Sequence, residues 1–575
     1  MKKNFLFSPL SLIVAILAVS LSSCKKEQSD FESEILSVPT VEKTATCNPY
    51  SLRIMQAALD SLLSTRSAEL VGSIDLEPTD YYIRVSALDT TAIASLNKID
   101  VEVFDYPLDR VFEDNTNYYL DPQEFSDQNL SWSYLALPPR FALKEIPYDS
   151  VLRAEENGSF IKVDFNVRNN RFSGELLDEC YVPEHALTTR SGSSLPVSAE
   201  ALEAMAYKIA GVPQEEVATR ASSSRPAGYV YVKNGSSNLP VKGVKVRVQK
   251  FLKWRTTYTN ENGYFSISEN FTKPNISIIY DNTKDFTVWG NWAFLAPATF
   301  TKHSCTNPSS FRLYFDRSTD YAPWSWSVVN NAAYDYYKNC STGILKGVST
   351  PPSNMKIWCL NVNWQGVGGG APMMKHLITS RVLSGASAVF SYMASLGWAA
   401  VVVSIAVAAA INIMGPDVLM VTYNKTYNNL YATTCHELSH ASHFNAIGEW
   451  NYGKLIWYEM THGDSTNLYG TGGTGADGEG YCEVSETYAF SIENYIRKNT
   501  LHESSPSSGE SSHYFFHKYV STLSSLLNNG TLTPGQIYSC MSANVRSMNS
   551  LMTALCNKYP DKRTAIRNEM TNNGL

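Results

Sequence analysis

The sequence lacks a positively charged region that would attract a nucleic acid. Its formal net charge is −7 and its isoelectric point is about 5.9, and no cluster of Lys and Arg alternates with aromatic residues. Nucleic-acid-binding proteins neutralise phosphates with such clusters and stack bases on aromatic rings. The sequence therefore predicts no nucleic-acid partner.

Two motifs for other binding sites are also absent. No cysteine pair has the CxxC spacing, which excludes a zinc knuckle built from such pairs of thiolates. The glycine-rich stretch at 462–480 is not followed by Gly-Lys-Ser or Gly-Lys-Thr, which excludes a phosphate-binding P-loop. We interpret this stretch as a loop that borders a cleft.

The chain is too long for one compact core. It has 575 residues, and domains of roughly 100–200 residues suggest three or four units. Changes in pattern along the sequence predict a multidomain protein. We expect an α+β N-terminal domain at 46–222, a small β-sandwich at 226–318, and a mainly α-helical region at 320–575.

The N-terminus has the pattern of an export signal. Lys2 and Lys3 precede an apolar run, and Leu-Ser-Ser-Cys at 21–24 resembles a bacterial lipobox. The resemblance implies removal of residues 1–23 and acylation of Cys24, with 24–45 as a polar tether to a membrane. We expect an outer-membrane lipoprotein on the periplasmic or cell-surface face; an ordinary secretory signal with an incidental cysteine is the alternative.

Secondary-structure patterns support this division of the chain. Residues 50–63 have helical periodicity, and 80–88 and 99–106 have the pattern of strands. A Ser/Gly/Pro-rich linker follows at 219–228, and short alternating strands with an Asn260–Gly263 turn begin after it. This part resembles the carboxypeptidase regulatory-like domain, which implies a seven-stranded sandwich without chemistry of its own.

Residues 382–416 contain no charged side chain. The run is long enough for a membrane span, but it is rich in Ala, Gly and Ser, and a span would place the two halves of an exported chain on opposite sides of a membrane. We therefore favour a buried or hairpin helical segment.

The HELSH pentad carries the clearest chemistry in the chain. A helix places His436 and His440 one turn apart on the same face, so both imidazoles can bind one metal ion while Glu437 acts on water. The flanking pattern predicts a strand at 417–423 and a helix that Asn424 caps and Gly448 ends. The alternative is a polar helix whose histidines bind no metal.

A catalytic zinc ion needs a third protein ligand. The metzincin pattern continues with a glycine and then a histidine at the two positions where this chain has His443 and Ala446, so that pattern fails. A second predicted helix at 480–496 carries carboxylates on one face. These carboxylates repel one another unless a cation compensates them, so this helix can supply the ligand; a solvated acidic face is the alternative. The acidic face comprises Glu483, Glu486 and Glu493.

A family resemblance narrows the choice of the third ligand. CHELSHASHF followed by GYCEVSETYAFSIEN resembles the gluzincin-type zinc metallopeptidase lipoproteins of Gram-negative bacteria. The resemblance implies a zincin-like fold for 320–575, one Zn²⁺ per chain, and Glu486 as the ligand. Glu483 is the second choice, and Glu479 is the third because other gluzincins place their ligand in a Glu-Gly pair. Tyr488 stands where the family usually has Trp.

Other residues near the pentad are candidates for supporting roles. His443, one turn after His440, is a candidate for a contact with substrate or with a metal ligand. A disulfide between Cys435 and Cys482 would fix the two predicted metal helices to each other. The candidate donors to an oxyanion are His462, Tyr469, Tyr481 and Tyr488.

These patterns predict a lipid-anchored, extracytoplasmic, zinc-dependent endopeptidase with a protein or peptide substrate. His436, His440 and Glu486 would bind zinc, and Glu437 would be general base and acid. The alternative is a surface lipoprotein that captures a glycan or protein and carries a structural or inactive zinc site. A hydrolase that acts on another type of bond would share the same motif.

Overall fold

The computed structural model describes most of the chain from residue 48 onward. The predicted signal, Cys24 and tether lie outside the described residues, as does nearly all of the uncharged 382–416 segment. The described residues are 48–64, 74–87, 102–111, 133–137, 162–167, 170–186, 195–212, 223–290, 297–361, 368–379, 415–463, 467, 469–503 and 513–575.

The described residues form sixteen strands and twelve α-helices. The strands are β1 Asp80–Ala87, β2 Ser133–Leu137, β3 Lys162–Val167, β4 Asn170–Cys180, β5 Ala227–Asn234, β6 Ser237–Pro240, β7 Val244–Lys250, β8 Lys253–Tyr258, β9 Tyr264–Ser266, β10 Asn275–Asn282, β11 Phe286–Trp289, β12 Thr299–Lys302, β13 Phe311–Phe315, β14 Met355–Leu360, β15 Gly369–Gly370 and β16 Val418–Val421. The helices are α1 Leu52–Ser64, α2 Pro183–Ala186, α3 Ala199–Ile209, α4 Tyr321–Thr342, α5 Met374–Thr379, α6 Tyr427–Ile447, α7 Glu449–His462, α8 Glu479–Asn499, α9 His517–Asn528, α10 Pro534–Tyr538, α11 Met548–Lys558 and α12 Arg563–Asn572.

The N-terminal part is an α+β unit with its own core. Its four-stranded antiparallel sheet has the order β2-β1-β4-β3. Helices α1 and α3 contact each other and bury Leu59 and Leu202 in a cluster with Tyr82 of the sheet. The predicted helix and the first predicted strand are confirmed, whereas the described part of 99–106 makes only an isolated bridge, Phe104 to Tyr134.

The middle part contains two sheets. One joins β13, β5, β6 and β9, and the other contains β7, β8, β10, β11 and β12. Both contribute buried side chains, such as Val230 and Val246, to the larger of the two hydrophobic cores that the described residues form. The Asn260–Gly263 turn is present, with Gly263 at a φ of 73°, a conformation that glycine adopts without strain. Nine described strands, not the expected seven, lie in this part.

The second of these sheets continues into the C-terminal part of the chain. β11 pairs in parallel with β14, with Val288 opposite Ile357 and Trp289 opposite Trp358, and β14 in turn pairs with β16. The two tryptophan rings stack with their centroids 6.3 Å apart. One eight-stranded sheet therefore extends across the position where the sequence analysis places a domain boundary.

The C-terminal part is mostly helical. Nine of the twelve described helices, α4 to α12, lie after residue 320. α6 contacts α4 and α8, and α8 also contacts α7 and α9. The prediction of a mixed α/β, multidomain protein with a mostly helical C-terminal region is confirmed. Within the described residues, no helix has the length and apolar character to cross a membrane.

The shared sheet predicts energetic coupling between β11 and β14. Ile357→Ala removes a fully buried side chain and should lower the free energy of unfolding by about 2–5 kcal/mol. Combined with Val288→Ala, its in-register neighbour, the loss should depart from additivity by at least about 0.5 kcal/mol. Urea unfolding monitored by circular dichroism measures both quantities.

The matched control combines Ile357→Ala with Leu59→Ala. Leu59 belongs to the separate N-terminal core, so these two losses should add. Additivity in the Val288 and Ile357 pair would contradict the energetic link across the sheet.

Candidate metal centre

The two histidines of the pentad lie on α6. Thr426 caps this helix by accepting a hydrogen bond from the backbone N–H of Asn429, and Gly448 ends it with a φ of 78°. The cap is thus Thr426, not the predicted Asn424, because the helix begins two residues later. His436 and His440 are buried, and their Nε2 atoms are 3.1 Å apart.

α8 brings Glu486 to the same place. Its Oε1 lies 3.2 Å from His440 Nε2, and its Oε2 lies 3.6 Å from His436 Nε2. One ligand atom from each of the three residues lies within 4.8 Å of the others. These three side chains form a buried group that could hold a metal ion.

The outer nitrogen of each imidazole contacts a residue of α8. His436 Nδ1 lies 3.2 Å from Glu493 Oε2, and His440 Nδ1 lies 2.8 Å from Ser485 Oγ. Arg497 donates to Glu493 Oε1 from Nε and Nη2, at 3.0 and 2.8 Å. Burial raises the pKa of Glu493, but His436 and Arg497 outweigh it and hold that pKa below its ordinary value. The ionised carboxylate favours a proton on His436 Nδ1, although the 3.2 Å contact lacks the geometry of a hydrogen bond.

This arrangement fits a cation. To bind a metal ion, each ring would keep a proton on Nδ1 and present the lone pair of Nε2, and a positive charge between the two Nε2 atoms and Glu486 would stabilise that arrangement. Glu486 Oε2 is buried without a hydrogen-bond donor among the described residues, which is costly for a carboxylate oxygen unless a cation compensates it. Two imidazoles and one carboxylate form a ligand set that zinc accepts.

Glu437 lines a pocket beside this group. The pocket is also lined by His440, Glu486, Tyr469 and the edge strand β15. Glu437 is buried, and burial raises its pKa to about 8, with Glu486 and Glu493 adding to the effect and His436 opposing it. A carboxyl group with a pKa near neutrality can both accept and release a proton at physiological pH.

The two other candidate ligands have different contacts. Glu483 accepts a hydrogen bond of 2.7 Å from the backbone N–H of Met548, at the start of α11. Glu479 accepts hydrogen bonds from the backbone N–H groups of Thr474 and Gly475, each at 2.9 Å, and so fixes the glycine-rich loop. Within the described part of the chain, only Glu486 joins the two histidines in a potential metal-binding group.

The residues predicted to have supporting roles lie in different places. Tyr469 is the one candidate oxyanion donor that lines the described pocket. Tyr481 donates to the carbonyl of Ala543, and Tyr488 is buried against the ring of Tyr538. His462, at the end of α7, stacks on the ring of Tyr458.

His443 is fully buried on α6 and does not line the pocket. Burial lowers its pKa to about 3, which keeps the ring neutral. Neither ring nitrogen has a hydrogen-bond partner among the described residues.

The expected disulfide between Cys435 and Cys482 is absent. Both thiols are free and buried, and burial raises the pKa of each well above its ordinary value. α6 and α8 are held together by packing and by the polar contacts of the histidines.

Several residues of the site escaped the sequence analysis. The sequence places Glu493 on an acidic face but does not pair it with His436, although Arg497 four residues later is a signal of a buried ion pair. Glu459 of α7 lines the pocket and is buried. Its signal is an acid that follows Tyr452, Leu455 and Ile456 at helical spacing on an apolar face.

Comparison of the chain with protein-family models, with curated proteins and with solved structures finds no match. The resemblance to gluzincin-type lipoproteins therefore stays a prediction.

The contact of Glu493 with His436 predicts an effect on metal affinity. Glu493→Gln removes the negative charge that holds the Nδ1 proton, so we expect zinc to bind about 10–100-fold more weakly. Titration against a chelating dye gives the dissociation constant. Glu483→Gln makes the same chemical change on the same helix without a contact to either histidine and should leave zinc affinity unchanged. Equal losses in the two variants would contradict the assigned role of Glu493.

Proposed function

We propose that the protein is a zinc-dependent endopeptidase of the gluzincin type, with residues 320–575 as a zincin-like domain. The observation that carries the proposal is the buried group of His436, His440 and Glu486, beside a buried Glu437 that lines a pocket. The outer nitrogens of the two imidazoles lie 3.2 Å from Glu493 and 2.8 Å from Ser485. The sequence adds the expectation of an outer-membrane lipoprotein anchored through Cys24.

His436, His440 and Glu486 would hold the zinc ion. Zinc bound there would supply Lewis-acid chemistry that polarises the scissile carbonyl and activates water. Glu437 accepts a proton from the attacking water at its carboxylate and delivers it to the nitrogen of the leaving amine. Ser485, Glu493 and Arg497 would keep the imidazoles oriented, and Tyr469, which lines the pocket, would donate to the carbonyl oxygen of the substrate.

The edge of the large sheet supports a peptide as substrate. β15 is the terminal strand in the described order of this sheet, and it pairs with β16 only. Its glycines line the pocket next to Glu437. An extended peptide can add to such an edge by main-chain hydrogen bonds, which brings its carbonyl groups along the pocket.

The first test of the proposal is Glu437→Gln. Metal-replete wild-type protein should contain about one zinc ion per chain, and the variant should keep this zinc because Glu437 is not a ligand. Loss of the group that moves the proton should lower kcat by about 10²–10⁴-fold. Elemental analysis gives the zinc content, and a peptide library analysed by mass spectrometry gives the activity. A folded wild-type protein that binds no zinc would refute the proposal, as would full activity in Glu437→Gln.

A second variant tests the role of the edge strand. A methyl group at Gly369 would lie 2.8 Å from Glu437 Oε1 and 2.8 Å from the backbone oxygen of Leu419. Either Glu437 or the strand must move to make room for this methyl group. Gly369→Ala should therefore lower kcat/KM by about 10²-fold while zinc stays bound. A substrate with N-methylated amides near the scissile bond should lose activity in the wild type, because methylation removes the main-chain donors that pair with the strand. Wild-type rates in both experiments would contradict binding along β15.

A further inference from the structure

Four residues of α7 form part of the wall of the pocket. Tyr452, Leu455, Ile456 and Glu459 of this helix all line the pocket. The first three offer apolar surface, and Glu459 places a carboxyl group, 8% exposed, among them. A buried acid on an apolar wall is costly unless something in the pocket interacts with it.

Glu459 has little compensation from the protein. Its hydrogen-bond contact among the described residues is a weak one, from Cys482 Sγ at 3.8 Å. No Lys or Arg is among the residues described as lining the pocket. Burial and the neighbouring carboxylates Glu486 and Glu437 raise the pKa of Glu459 well above its ordinary value.

Three carboxyl groups, those of Glu437, Glu459 and Glu486, line the pocket. An ionised Glu459 would add a negative charge to a pocket that already holds the buried carboxyl groups of Glu437 and Glu486, so a positive charge that reaches Glu459 would be stabilising there. Lys and Arg side chains combine such a charge with an apolar stem that can lie along Leu455 and Ile456.

We infer that Glu459 is a specificity-determining residue that recognises a lysine or arginine side chain of the substrate next to the scissile bond. This inference rests on the proposed peptidase function and names the class of peptide that the site takes. Glu459 would contact the ammonium or guanidinium group, while the Tyr452, Leu455 and Ile456 surface would contact the stem.

Short peptides of alanine and leucine test the inference, with one lysine moved through the positions and a matched set that carries Nε-acetyl-lysine. Acetylation keeps the stem and removes the charge. Zinc-loaded Glu437→Gln should bind the best lysine peptide about thirtyfold more tightly than its acetylated partner, a ratio typical of a buried charge pair. Adding Glu459→Gln should reduce this ratio to nearly one. Adding Glu449→Gln, the same change at an exposed position of α7, should leave it unchanged.

The same peptides separate the two proposals. Wild-type protein that cuts peptides without regard to lysine or acetyl-lysine would overturn the role of Glu459 and leave the peptidase intact. Lysine-selective binding without cleavage would support the role of Glu459 and overturn the peptidase. If Glu459→Gln does not fold, the affinities of the wild type for the lysine and acetyl-lysine peptides test the inference. Equal affinities for the two peptides would overturn it.

Discussion

The orientation of two imidazole rings is the constraint on which the rest of the site depends. His436 and His440 come from one helix, but the groups that fix their outer nitrogens, Glu493 and Ser485, come from another. α6 and α8 must therefore pack side by side for the two Nε2 atoms to face Glu486. Arg497 keeps Glu493 charged within this packing. The potential metal-binding group thus depends on the helix interface as much as on the HExxH motif.

The local part of the site could be predicted from the sequence because it depends on spacing within a helix. Four residues separate His436 from His440, and helical periodicity places Glu486 and Glu493 on one face of the second helix. The choice of Glu486 over Glu483 and Glu479 required the family resemblance, because spacing alone does not tell which carboxylate meets the histidines. In the structure, Glu483 accepts a hydrogen bond from the backbone N–H of Met548, the first residue of α11, and Glu479 accepts hydrogen bonds from the glycine-rich loop.

The parts that escaped prediction depend on contacts between distant segments. Glu459 comes from α7 and the glycines of β15 from a short strand far upstream of the motif, and no periodicity links them to Glu437. The pairing of β11 with β14 joins residues some seventy positions apart, and strand pairing at that distance leaves no pattern in either segment. Thr426 and Asn424 are both residue types that cap helices well. Which of them is the cap depends on where α6 begins, and the sequence does not fix that position.

The continuous sheet has a consequence for the history of the chain. A domain can be gained, lost or exchanged in evolution only if the rest of the chain has no exposed strand edge after its removal. Removing the strands before residue 318 would uncover β14, whose unpaired N–H and C=O groups would form an edge open to other chains. The strands of the middle part and helices α6 and α8 are therefore expected to be inherited as one unit, and recombination between related genes should find its viable crossover points outside this unit.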